Sequence, residues 1–321
     1  MAFKTSLWRS TPPAIFSVAL GFLGLGMIWR KSSSILPVPT LVGDLLMGIA
    51  TAFFVFFLAS YLAKLAARPA ALIEDMRTPP GRAGVSAIGM ALMLLSAMLI
   101  NLGWMLPWVW WTGVLTQIAV MALVSVLISR DAPASRGFNP FQYLTFVGLI
   151  VAPIGGVSLG YPQISFWLAM ISLVGFVVIT IGYGANLMRV MPVQPFRPSL
   201  VIVLSPLSLF ALMYLQMQMH MQLLGQAFFW ASWIAAVLFM VLAPWLTRGG
   251  WTPIWGAFTF PVAAFTSMQI TAALLGMGLV ATAGAILGLI VATPLILFVA
   301  YKSSKAWSRG DLAKKTGASV A

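Results

Sequence analysis

Three places in the sequence combine residue types able to do chemistry. The first is the stretch WTPIWGAFTFPVAAFTSMQ, in which Phe260 precedes Pro261. At 1.5 Å per residue, this pair falls roughly 12 Å into an apolar segment, near the middle of a ~30 Å hydrocarbon layer. A ring at a proline kink can close an apolar constriction by excluding water, or it can pack between helices as ordinary core. The second place is the run from Met213 to Met221, with Met217, Met219 and His220 between. Thioethers and an imidazole suit copper(I), but the chain has 19 Met and uses many as apolar filler. The third is Asp44, beside the start of an apolar segment, where a carboxylate meets the positive end of a helix dipole. Against these stand several absences. There is no Ser-His-Asp set, no paired carboxylates and no glycine-rich phosphate loop. One histidine and no cysteine exclude bis-histidine haem and thiolate sites. No enzyme activity, cofactor or metal is expected.

The elements that position these residues follow from composition. The 321 residues are 61% hydrophobic and 7% charged, where soluble domains carry about 25% charge. So few charges cannot cover a water-facing surface, and an all-α integral membrane protein is expected. Ten spans can be drawn: Pro12–Trp29, Leu41–Ala63, Gly84–Asn101, Met105–Ile128, Phe141–Leu159, Gln163–Met188, Ser199–Gln218, Leu223–Leu246, Pro253–Leu275 and Gly276–Tyr301. The first competes with a signal peptide. Its apolar run is long, and no small-x-small site precedes Trp29-Arg30-Lys31, so it reads as a retained span. The whole chain reads as one transmembrane domain, with residues 302–321 a short basic tail.

Sixteen of the 18 basic residues fall before the first span, after even-numbered spans, or in the tail. Only Arg30 and Lys31 fall in the other gaps. The positive-inside rule then puts both termini in the cytoplasm. The net charge of +13 is spread over short loops, which is a topology signal and not a nucleic-acid groove. Short outer gaps pair the spans into five helical hairpins. Pro153, Pro206 and Pro261 sit well inside odd-numbered spans, whereas Pro107, Pro244 and Pro294 lie nearer the ends of even ones. A mid-span proline frees the carbonyl four residues earlier. That is tolerable only against protein or a wet cavity. The odd spans are therefore expected to form an inner ring around a pore.

No charge is visible at mid-depth in any span. A fixed charge there would hold an ion of opposite sign and slow its exit, so an uncharged conduit suits permeation. Basic residues at the cytoplasmic mouth concentrate anions, although insertion alone demands the same charges.

Several stretches resemble one family. Pro195-Phe-Arg-Pro-Ser-Leu-Val-Ile-Val-Leu-Ser-Pro206, Trp255-Gly-Ala-Phe-Thr-Phe260-Pro261, Asn139-Pro140-Phe-Gln-Tyr143 and Thr11-Pro-Pro-Ala-Ile-Phe16-Ser-Val-Ala-Leu-Gly21 are similar, in this order, to motifs of the tellurite-resistance/dicarboxylate transporter family. That family includes the bacterial TehA proteins and the plant slow anion channels. The resemblance implies quasi-fivefold hairpins, a homotrimer with one pore per protomer, and a bacterial inner-membrane location. It also implies Phe260 as gate, Phe16 as a pore-side aromatic, and Pro153, Pro206 and Pro261 as pore-lining kinks. Its ligands would be inorganic or small organic anions, and its surroundings membrane lipid. The chain departs from the pattern at Ala19 and Met90, where prolines are usual, and at Ser17, where glycine is. A gated anion channel or passive anion transporter is the leading expectation. A coupled carrier of C4-dicarboxylate, sulfite or tellurium oxyanions is the rival. A non-transporting anchor subunit is the third reading.

Overall fold

The computed structural model describes residues 7–130, 137–217 and 222–321. Among them there is no strand, and nine helical segments are long and apolar enough to cross a membrane. The α-helices are α1 (Ile15–Ser32), α2 (Thr40–Ala67), α3 (Ala71–Asp75), α4 (Pro79–Asn101), α5 (Pro107–Arg130), α6 (Gln142–Phe146), α7 (Ala152–Gly156), α8 (Pro162–Leu187), α9 (Leu204–Met217), α10 (Gln222–Leu246), α11 (Gly256–Leu274), α12 (Leu279–Ser308) and α13 (Asp311–Thr316). The chain is a multi-pass membrane protein.

The expected fifth span is not one helix. It is α6, a 3-10 turn over Gly148–Val151, and α7. Pro153 stands in the first turn of α7, and the Leu149 carbonyl it cannot serve accepts instead from the Ala152 N–H. The expected seventh span likewise begins as a 3-10 stretch, Gln194–Val203, and becomes α-helical at Leu204. Pro206 therefore sits in a first turn, where its missing N–H costs nothing. Both prolines mark a change of helix type instead of bending a continuous helix. Pro261 is different, lying inside an unbroken α11. With Ala19 and Met90 in place of proline, α1 and α4 also run unbroken.

Freed backbone groups in the broken segment are served by neighbours, as a low-dielectric setting requires. Gln117 of α5 donates through Nε2 to the carbonyls of Leu144 (2.9 Å) and Thr145 (2.8 Å). Trp110 Nε1 donates to the Ala152 carbonyl at 2.9 Å. Gly148 leaves the room: a Cβ there would strike the Gln117 amide.

Burial divides the helices into two sets. In the most apolar stretches of α1, α4, Gln194–Gln216 and Pro253–Leu274, 78, 78, 78 and 72% of residues are buried. In α2, α5, α8, α10 and α12 the values are 28, 28, 33, 11 and 44%. The segment from Gln142 to Val151 is almost wholly buried too. The buried elements touch in sequence: α1 on α4, α4 on α6 and α7, the Gly148–Val151 turn on α9, α9 on α11, and α11 on α1. Each less buried helix lies against one of them, α2 on α1, α5 on α4, α8 on α7, α10 on α9 and α12 on α11.

Small residues set the α1–α11 contact, which is how helices approach closely without a hydrophobic drive. A Cβ on Gly21 would collide with Thr259, and one on Gly24 would lie 2.8 Å from Ala263 Cβ. Thr259 Oγ1 uses this proximity to donate across to the Ser17 carbonyl at 3.2 Å.

The basic tail docks against the bundle. Helix α12 continues to Ser308, and α13 with residues 317–321 packs beneath the bundle. Lys64 and Asp75 form an ion pair at 2.8 Å, each 0% exposed. Asp75 also accepts from Tyr61 OH (3.0 Å), Ser319 N (2.7 Å) and Ser319 Oγ (2.9 Å). Lys64 donates its remaining reach to the Thr11 carbonyl. Arg68 bonds the Val320 carbonyl and Trp307 Nε1 bonds Thr11 Oγ1. This end of the bundle is called the tail side below, and the opposite end the far side.

Candidate functional site

Two narrow cavities follow one another between the buried helices. The tail-side cavity is lined by Ser17 and Leu20 of α1, Ala83 of α4, Leu144 of α6, Ser205 of α9 and Pro261 of α11, among others. The far-side cavity is lined by Gly24 and Met27 of α1, Leu94 of α4, Ile154 of α7, Leu209 of α9 and Ser267 of α11, among others. Thus α1, α4, α9 and α11 contribute to both, and the broken segment gives Leu144 of α6 to the first and Ile154 of α7 to the second. Among the described residues, Phe260 is common to the two linings. Its side chain is 6% exposed and faces Gly24, whose missing side chain leaves room for the ring. No charged residue lines either cavity. The polar groups are hydroxyls, from Ser17 and Ser205 on one side of Phe260 and Ser267 on the other.

Beyond the tail-side cavity, a wider cleft shares Pro80, Pro253 and Ile254 with it and opens at the surface. The docked tail forms one wall through Lys315, Thr316 and Gly317. Lys315 Nζ and Lys302 Nζ each lie 5.5 Å from the centre of the Trp251 ring.

With that geometry in hand, the sequence comparison is decisive: residues 10–302 match the voltage-dependent anion channel (SLAC1) family. The chain belongs to that family. It is also similar to the tellurite resistance protein TehA homolog of Haemophilus influenzae, at 23% identity over 266 residues, which cover 80% of this chain and 79% of that one. Membership agrees with the resemblance carried by the Phe260-Pro261 and Pro195–Pro206 stretches. The family description is of a channel for anions.

Within this anion-channel family member, the expected site residues do not all converge. Phe260 lines both cavities and Pro261 the tail-side one. Pro153 and Pro206 do not line them; their neighbours Ile154 and Ser205 do. Phe16 is turned the other way, with ring centroids 6.2 Å from Phe54 and 5.5 Å from Tyr61 of α2, both edge-on. Its helix presents Ser17 to the cavity instead, and a helix cannot point adjacent residues in one direction. Asp44 pairs with Arg30 of α1, so it does more than meet a helix dipole. Met219, His220 and Met221 lie outside the described residues, while Met213 is buried in the core. No group of three His, Asp or Glu able to hold a metal occurs among the described residues.

Ser205, Ser267 and Lys31 were not among the expected site residues. A signal for two of them was present. Counting outward from Phe260 in steps of three and four reaches Ala263, Ala264 and Ser267 on one helical face. The matching stripe on α1 is Ser17, Leu20, Gly24, Met27 and Lys31.

Proposed function

We propose that this protein is a passive anion channel of ten crossings, with both termini in the cytoplasm of a bacterial inner membrane and Phe260 as the plug of a central pore. The observation that carries the plug is the position of Phe260 as the shared wall of two successive cavities. An apolar ring at such a neck excludes water and therefore hydrated ions. Uncharged walls on both sides favour transit over tight binding, which speaks against a coupled carrier of a divalent oxyanion.

The count of ten is supported by parity. Asp75 and Ser319 are hydrogen-bonded, so they share one side of the membrane. Seven of the long helical segments lie between them. An odd number of crossings would leave them on opposite sides, so the broken segment 142–156 supplies the eighth. On that count the tail side carries most of the basic residues, which supports its being the cytoplasmic side. The homotrimer rests on the resemblance, and native mass spectrometry of the protein in detergent tests it.

The gate is tested by Phe260→Ala in liposomes or oocytes. Truncating the ring joins the two cavities, and anion conductance is expected to rise well above wild type. Wild-type-like conductance in a correctly folded variant refutes the plug. Insensitivity of the flux to an imposed pH gradient at clamped voltage is expected of a passive path.

A further inference from the structure

The positive-inside rule explains the basic residues of the tail side but not Arg30 and Lys31, which stand at the far end of α1. These two cations are differently placed. Arg30 is compensated: it pairs with the Asp44 carboxylate and donates to the Asn101 carbonyl at 3.3 Å. Among the described residues, no carboxylate lies within ion-pairing distance of Lys31. Its ammonium instead reaches Ser267 Oγ at 3.4 Å. That hydroxyl lines the far-side cavity ending on Phe260, as does Met27, one helical turn before Lys31 on the same face of α1. A part-buried ammonium without a counter-ion loses hydration and gains little in return. The Ser267 hydroxyl, accepting from Lys31, keeps its own proton to donate. Two donors, one of them charged, thus meet at the end of the far-side cavity lined by Met27 and Ser267.

We propose that Lys31 and Ser267 form an outer binding site for a small monovalent inorganic anion, with Lys31 the residue that recruits it to the pore. The assignment of a role in permeation rests on the channel reading above; the binding site itself does not. One point charge at about 10 Å in water raises the local concentration of a monovalent anion about twofold. This gain is screened away at 1 M salt, where the Debye length is about 3 Å.

Binding is measured on the wild-type protein in detergent, by the rise in unfolding midpoint when chloride or nitrate replaces gluconate at constant ionic strength. Lys31→Gln is expected to lose most of that rise and Lys31→Arg to keep it. If the Gln variant does not fold, Ser267→Ala, which removes the second donor, is expected to reduce the rise. An unchanged rise in the variant that folds overturns the site. Recruitment is then read in the Phe260→Ala background. Lys31→Gln should lower anion conductance by about 1.6-fold at ~0.01 M salt, where the Debye length is about 30 Å, and leave it equal at ~1 M. A loss of equal size at both salts, not restored by Lys31→Arg, indicates packing alone and overturns recruitment. A silent Phe260→Ala protein refutes the plug instead, and leaves the midpoint result to decide the site.

Discussion

Replacing Gln117 with leucine removes the amide that serves the broken segment while nearly keeping its volume. Two carbonyls, of Leu144 and Thr145, lose their Nε2 donor. A buried acceptor left without a partner costs about 1–3 kcal/mol, so the two together cost about 2–6 kcal/mol. One relief offsets this: Gln117 Oε1 is itself buried without a partner, and removing it returns about 1–3 kcal/mol. The net loss is centred near 2 kcal/mol, or roughly thirtyfold in the unfolding constant. Gln117→Glu should also destabilise, because the buried acid must take up a proton and its one O–H serves one carbonyl where the amide served both. Reversible unfolding in dodecylmaltoside titrated with dodecyl sulfate, followed by far-ultraviolet circular dichroism, measures both. A leucine variant as stable as wild type would mean that water or backbone rearrangement serves these carbonyls, and that α5 does not brace the break.

Three further outcomes follow from the same geometry. Asp75→Asn leaves the Lys64 ammonium buried without its counter-ion and should destabilise by about 3–5 kcal/mol; faster proteolysis within residues 309–321 reports release of the tail. Gly21→Val drives a side chain into Thr259 and should abolish the monodisperse folded peak in size-exclusion chromatography, whereas Gly48→Val, at a glycine with open space around it, should not. Phe260→Leu, keeping an apolar but smaller plug, should conduct between wild type and Phe260→Ala; conductance in the order of side-chain polarity and not of size would refute steric closure.

Much of this molecule could be read from residue order, and the reason is the solvent. In a bilayer a crossing must be long and apolar, so the limits drawn for the sixth and eighth spans, Gln163–Met188 and Leu223–Leu246, lie within a residue of α8 and α10. The difference between the more and the less buried helices was legible in where Gly and Pro fall. The fifth span was drawn as a continuous stretch because its apolarity is continuous; its break depends on Gln117, 27 residues away from Leu144, and no local rule reaches that far. The orientation of Phe16 was missed for a related reason. A resemblance assigns a residue type to a place, but the face it turns to the pore depends on helix phase, and Ser17 holds that phase here. The docking of the tail was not legible because its anchor is a carboxylate 244 residues earlier.

That long reach bears on how the protein is made. Tyr61, Lys64 and Asp75 are inserted early, but Asp75 receives the two bonds from Ser319 only after the helices α4 to α12 have been threaded. One inverted or skipped helix in between would strand the tail on the wrong side of the bilayer and leave the clasp open. On the ten-crossing reading, the clasp can close only in a chain whose every intervening crossing has been made.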